Sequence, residues 1–270
     1  MPAACSGSSP EGEAFAPRHY RTVLFYGDEG FARIRTAHVA VFGLGGVGGH
    51  AAVNLARSGL GRLTLVDFDT VSESSLNRSA FAGPADVGRP KTAVLAAHLA
   101  RICPDVAVTA VEAFCAPENL AQLVPPAGPD RPDLVIDAID SLNPKVNLLL
   151  WCREQGVPVL ASLGAAGKAD AAAVRTGDLF ASTGCALGRH VRARLRRRGV
   201  RDGITAVWSV EPGDEVRPDA AKESDGTAPA APLRGRARHT LASQMTIPGV
   251  FGYALAALAL DRISGRTTAG

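Results

Sequence analysis

Aromatic residues are scarce in this sequence, at 5% of its 270 positions, with two tryptophans and two methionines. The core must therefore be aliphatic, and 46% apolar residues suffice for one large domain or two small ones. Cysteine is sparse too: Cys5, Cys103, Cys115, Cys152 and Cys185 are odd in number, far apart and without a CxxC pair. That argues against a disulfide framework and against structural zinc, and fits a reducing cytoplasmic setting. No apolar run is long enough to span a bilayer. The longest, Ile247 to Leu260, is interrupted by Asp261 and falls short of the roughly 20 residues a spanning helix needs, so a buried helix is expected there rather than membrane contact. Neither charge dominates, and a net charge of +3 does not demand a nucleic-acid partner, least of all DNA, unless positive charge clusters locally. The stretch Met1 to Pro17 lacks a cationic start followed by an apolar run, so it reads as a disordered lead rather than a secretory signal.

What is present has an α/β rhythm. His38 to Phe42 is an apolar strand ending at Gly43-Leu44-Gly45-Gly46-Val47-Gly48, and the apolar-periodic helix from Ala51 to Ala56 closes at Gly59 and Gly61. Leu63 to Val66 is a second buried strand ending at Asp67, which completes a βαβ unit with a right-handed crossover. Further alternation follows: a helix from Pro90 to Arg101, strands at Val106 to Val111 and Leu134 to Ala138, a helix from Pro144 to Gln155, and a strand from Val157 to Leu163. The expected fold is a Rossmann-like, doubly wound, mostly parallel sheet with a C-terminal extension. The pattern divides the chain into a lead (1–17), a nucleotide-binding domain (18–211), a flexible loop rich in Pro, Ala, Gly and charge (212–238), and a final element (239–270) packing on the same domain.

The chemistry concentrates after the first strand. Gly43, Gly45, Gly46 and Gly48 let the backbone bend sharply and approach a phosphate, while the helix start supplies N–H groups and the positive end of its dipole. Alone, such a turn suits NAD or FAD as readily as ATP. Asp67 ends the second strand, where an acidic residue meets ribose hydroxyls in dinucleotide sites. Asp69, Ser75, Asn77 and Arg78 occupy the polar stretch that should lie over the carboxyl ends of the strands. Lys91 opens a helix, an electrostatically unfavourable place for a lysine unless an anion sits nearby. Asp140 follows Asp137 at a third strand end, where one carboxylate can serve a magnesium ion or cap the next helix. Glycine turn, arginine, lysine and carboxylate together clamp a triphosphate more naturally than a redox dinucleotide, which favours ATP.

In this order and spacing GLGGVG, VDFD, LNR, VGRPK and DAIDS resemble the ThiF-type adenylating enzymes related to the ubiquitin-activating enzymes. Within that superfamily the chain is most similar to the tRNA threonylcarbamoyladenosine dehydratases, which cyclise a modified adenosine beside the anticodon. The further segments carrying this are DAIDSLNPK, LGRHVRARLRR and VWSVE. The resemblance implies that Asp67 holds the ribose, that Asn77, Arg78 and Lys91 contact phosphates, and that Asp140 binds Mg2+. It also implies that Arg21 reaches the partner subunit's ATP in a homodimer. The dehydratase reading takes tRNA as substrate, with a sulfur-transfer protein as a further candidate partner. The rival is activation of a ubiquitin-like sulfur carrier, whose enzymes usually carry two CxxC zinc pairs that this chain lacks. Departures from the pattern are Ser75 for asparagine, Ser79 for glutamine, Gly184-Cys185-Ala186 where an Asp-Pro pair is frequent, and Ala206 for a cysteine.

Outside the nucleotide motifs, Leu187, Val191 and Leu195 recur every four residues, so one stripe of that helix packs while Arg189, Arg192, Arg194, Arg196, Arg197 and Arg198 project around the rest. Guanidinium forks suit phosphate oxygens, and RNA contact is expected there. The histidines show no metal-ligand spacing, and Cys115 and Cys185 read as buried rather than nucleophilic.

Overall fold

Our structure, a computed structural model, describes residues 15–212 and 242–266, so most of the expected lead and the expected loop up to residue 238 lie outside the described residues. Phe15 sets its ring edge-on to Phe31, with centroids 4.7 Å apart. The elements run α1 (Tyr20–Thr36), β1 (His38–Phe42), α2 (Gly46–Arg57), β2 (Arg62–Asp67), α3 (Lys91–Ile102), β3 (Ala107–Glu112) and α4 (Leu120–Leu123). They continue with β4 (Leu134–Asp137), α5 (Leu142–Glu154), β5 (Val159–Ser162), β6 (Val174–Asp178), α6 (Ala186–Arg196), β7 (Thr205–Ser209) and α7 (Thr246–Ser264). The sheet has seven strands in the order β3-β2-β1-β4-β5-β7-β6, all paired in parallel except β6, which runs antiparallel to β7. The expected doubly wound, mostly parallel sheet is borne out.

Alternation along the strands divides the core in two. Val39, Val41, Leu63, Leu65, Leu134 and Ile136 face one layer with α2, α3 and α7, and Ala40, Phe42, Val66, Val135, Val159 and Ala161 face the other with α5 and α6. Strands covered on both faces read as continuous apolar runs, and β1 is buried at every position.

Two elements carry weak sequence signals. The first, α1, buries only Gly30, Phe31 and Ile34, and it is broken at Gly27, whose φ of 72° no residue with a Cβ adopts easily. The other is β6, a polar edge strand whose pairing with β7 brings Gly177 opposite Ala206.

Helix α7 crosses α2 at backbone distance. A Cβ on Gly252 would lie 2.5 Å from the Val47 carbonyl oxygen and 2.7 Å from His50 Cβ, and one on Gly46 would lie 2.8 Å from Pro248 Cβ. By length and composition α7 passes for a membrane-crossing helix, yet half of its apolar window is buried inside the protein, with Ile247, Phe251, Leu255 and Leu260 in the core. Its last turn is tied to α1 by Arg33, which donates to the Ser264 carbonyl at 2.9 Å. Gly252→Val is expected to lower unfolding stability by about 1–3 kcal/mol, the usual result of overpacking. Ala257→Val, on the exposed side of the same helix, should stay within about 0.5 kcal/mol of wild type. Thermal denaturation of both variants measures the difference.

Candidate functional site

Strand order reverses between β1 and β4, and open α/β sheets bind ligands beyond the carboxyl ends of the strands at such a point. Two loops meet there. Gly43, with φ of 84°, leaves β1 and donates its N–H to the Val66 carbonyl at 2.9 Å. A Cβ on Gly43 would lie 2.8 Å from the Ala138 carbonyl oxygen, and one on Gly48 would lie 1.8 Å from the Gly43 carbonyl oxygen. Both positions therefore admit only glycine. Gly45 is the N-cap of α2 and no side chain caps that helix, so the first-turn N–H groups and the positive end of its dipole are available to an anion.

Asp67 sits beneath this turn, 8% exposed. One carboxylate oxygen accepts the Leu44 N–H at 2.6 Å and the other accepts the Asp69 N–H at 2.8 Å. The residue that the sequence points toward a ribose thus also holds the glycine turn in register with the loop after β2. Each oxygen keeps a second acceptor direction for a ligand hydroxyl.

In front of the turn lies a cleft lined by the predicted residues Gly45, Gly46, Ser75, Arg78 and Lys91, together with Leu44, Val71, Ser79, Phe81 and Ala82. Its far wall is a 3₁₀ helix, Glu73–Arg78, closed by a reciprocal cap in which the Ser72 N–H donates to Ser75 Oγ at 3.1 Å and the Ser75 hydroxyl donates to the Ser72 carbonyl at 2.7 Å. Arg78 is steadied by its own turn, donating to the Ser74 carbonyl at 2.8 Å and to Asn77 Oδ1 at 3.0 Å. Lys91 Nζ lies 3.1 Å from Asp69 Oδ2, and the Lys91 N–H donates to the Asp69 carbonyl at 3.1 Å, so Asp69 acts on the cleft by orienting this lysine.

The remaining predicted residues stand outside the lining. Gly43 and Gly48 form the back of the turn. Asn77 is exposed and donates to the Ser243 carbonyl at 3.0 Å, linking the wall to the segment before α7. Asp140 is exposed just before α5, accepting from the Ser141 hydroxyl at 3.2 Å. Arg21 is exposed on α1 and makes no hydrogen bond or ion pair among the described residues. Of the arginines, Arg192 donates to Ser182 Oγ, Arg194 to Asn143 Oδ1, and Arg196 lies 5.4 Å from the centre of the Phe180 ring. Arg189 and Arg197 point to solvent.

A buried ion pair that sequence reasoning did not find lies under the β4 loop. Lys145 Nζ is 2.8 Å from Asp137 Oδ2, and both side chains are fully buried. Asp137 Oδ1 accepts the Ile139 N–H at 3.0 Å, which fixes the turn leading to Asp140. Burial pushes the Asp137 pKa up, while the Lys145 ammonium and the Ile139 N–H pull it down. The signal was a lysine set between Pro144 and Val146 in an otherwise apolar helix face. Next to this pair the Cys115 thiol is pushed up to about 12, chiefly by burial and then by Asp137, so it stays protonated at neutral pH. Cys185 instead caps α6, its sulfur accepting the Gly188 and Gly164 N–H groups at 3.3 Å each.

Residues 17–269 match the ThiF family. The chain belongs to that family. Among its relatives, the ThiF-family chain is 33% identical over 267 residues to the Escherichia coli tRNA threonylcarbamoyladenosine dehydratase, covering 94% of this chain and 96% of that one. It is 33% identical over 250 residues to the Saccharomyces cerevisiae tRNA threonylcarbamoyladenosine dehydratase 2, covering 90% of this chain but only 56% of the yeast protein. The chain thus spans little more than half the length of that relative. A crystal structure of the Escherichia coli dehydratase TcdA in complex with ATP superposes with a TM-score of 0.78 at 30% identity, over 92% of this chain and 94% of that one.

Removing one partner of a buried ion pair leaves the other charge uncompensated. Asp137→Ala is expected to destabilise this ThiF-family protein by about 3–5 kcal/mol, whereas Asp137→Leu with Lys145→Met recovers most of the loss. Chemical denaturation of the two variants measures this.

Proposed function

We propose that this chain is an ATP-dependent tRNA threonylcarbamoyladenosine dehydratase. The observation that carries the reading is the cleft in which Arg78 and Lys91 face the uncapped start of α2 at the switch point, in a chain that matches the Escherichia coli dehydratase over nearly its whole length. The triphosphate fits the donors present: helix N–H groups, a guanidinium and an ammonium converge, and a Cβ on Gly45 would meet nothing within 4 Å, so the backbone is open to a ligand.

In this reading the threonyl carboxylate of the modified adenosine attacks the α-phosphorus, pyrophosphate leaves, and the resulting acyl-adenylate closes internally with release of AMP. Arg78, Lys91 and the α2 terminus hold the charge that builds on the phosphates, and positioning does the rest. Asn77 supports the wall behind Arg78, and Asp67 takes the ribose. Among the described residues no three His, Cys, Asp or Glu side chains gather to hold a metal unaided. Mg2+ needs less, since it is commonly bound by one or two carboxylates with substrate phosphates and water, and Asp140 is the exposed carboxylate at this edge. When bound, Mg2+ would offset phosphate charge.

The assembly in this reading is a homodimer. Arg21 makes no hydrogen bond or ion pair among the described residues, and beside it α1 exposes Tyr20, Leu24 and Phe25, a surface suited to a second copy whose cleft Arg21 would enter. Free buried thiols at Cys103, Cys115, Cys152 and Cys185 support a cytoplasmic setting.

ATP–pyrophosphate exchange that requires threonylcarbamoyladenosine-bearing tRNA is the expected result, with Asp140→Ala lowering it by about a hundredfold or more. Exchange driven by a ubiquitin-like carrier protein, and not by tRNA, would overturn the reading. For the dimer, Arg21→Ala and Asp140→Ala are each expected to be inactive alone. Mixed, they should regain up to about a quarter of wild-type activity, as statistical reassortment of a two-fold dimer with shared sites requires.

A further inference from the structure

Helix α6 is strongly cationic. Arg189, Arg192, Arg194, Arg196, Arg197, Arg198 and, just beyond, Arg201 crowd one short segment, and among the described residues no carboxylate forms an ion pair with any of them. Like charges at helical spacing repel. Partial burial, together with the Arg196 and Arg189 charges, pushes the Arg192 pKa down. A surface held against its own repulsion is complementary to a polyanion.

The arginines are not equivalent. Arg192 and Arg194 are already engaged by acceptors of the chain: Arg192 by the Ser182 hydroxyl, 2% exposed, and Arg194, at the surface, by the side-chain oxygen of the exposed Asn143. Arg189, Arg197, Arg198 and Arg201 are exposed and have no acceptor among the described residues. Both anchors of the helix also lead to the sheet edge where the cleft opens. Cys185 binds the Gly164 N–H just past β5, and Arg194 binds Asn143 in the first turn of α5, three residues after Asp140.

Resting on the tRNA reading above, we infer that α6 is an RNA-backbone dock with divided labour: Arg189 and Arg197 contact phosphates, while Arg194, through Asn143, is a positioning residue that sets the dock against the Asp140 loop. The outward pair supplies affinity with no sequence information. The Arg194–Asn143 contact determines where the bound nucleoside lies relative to ATP.

Steady-state turnover of modified tRNA by the full chain, as a function of tRNA and salt concentration, separates the two roles. Arg189→Glu with Arg197→Glu should raise KM for tRNA by about tenfold or more and reduce the slope of log KM against log salt by about 2, with kcat kept. Arg194→Gln and Asn143→Ala should each lower kcat by about tenfold while KM moves less than about twofold, and the double variant should lose no more than either single one. Unchanged melting temperature and ATP affinity confirm that each variant is folded. Wild-type KM and salt slope in the Glu pair would overturn the dock. A raised KM with intact kcat in Arg194→Gln would make Arg194 one more phosphate contact and overturn its positioning role. A wild-type chain that turns over no tRNA would instead refute the function proposed above, and this inference with it.

Discussion

A methyl group on Gly48 would sit 1.8 Å from the Gly43 carbonyl oxygen, and one on Gly252 would sit 2.5 Å from that of Val47. Contact of backbone with backbone at these points is the constraint from which the site follows. Because Gly43 packs on Ala138 and the Ala138 N–H donates to the Phe42 carbonyl, the loop after β1 and the loop after β4 share one surface. Because Gly252 lets α7 ride on α2, a helix from the far end of the chain braces the turn from behind. A turn built to bind phosphate cannot use large side chains for support, since they would fill the ligand's place, so the support comes from backbone and from Asp67 below.

Charge at the site is arranged before any ligand arrives. Asp69 holds Lys91, Arg78 is bound by its own turn, and the buried pair of Asp137 and Lys145 fixes the backbone that leads to Asp140. Donors already in place need little reorganisation when phosphate charge develops. The pairing of Lys91 with Asp69 also explains how a lysine is tolerated at the start of α3, where the helix dipole opposes it. The dipole calls for an anion there, and the protein supplies one from its own chain.

The central strands and the glycine turn were legible because their signals are local: apolar runs of strand length, glycines at fixed spacing, and an acid at the end of β2. What was not legible depends on distant partners. Lys145 looks like a surface lysine until β4 places Asp137 against it, eight residues upstream but across a layer of the fold. In the same way α1 has a thin apolar stripe broken by Gly27, and β6 is too polar to be read as a strand until β7 lies beside it.

By itself the sequence determined the doubly wound sheet, the phosphate turn at Gly43 to Gly48, the residues Arg78 and Lys91 that face it, and the arginine-rich helix, because periodicity and glycine geometry are written in neighbouring residues. Only the tertiary structure decided which of those side chains are free. It gave Asp67 to the Leu44 N–H, Asp69 to Lys91, and Arg194 to Asn143, and it left Arg189, Arg197 and Arg21 pointing to solvent. The reason is physical: a side chain's type fixes what it can bind, but whether it is already bound depends on groups that folding brings from elsewhere in the chain.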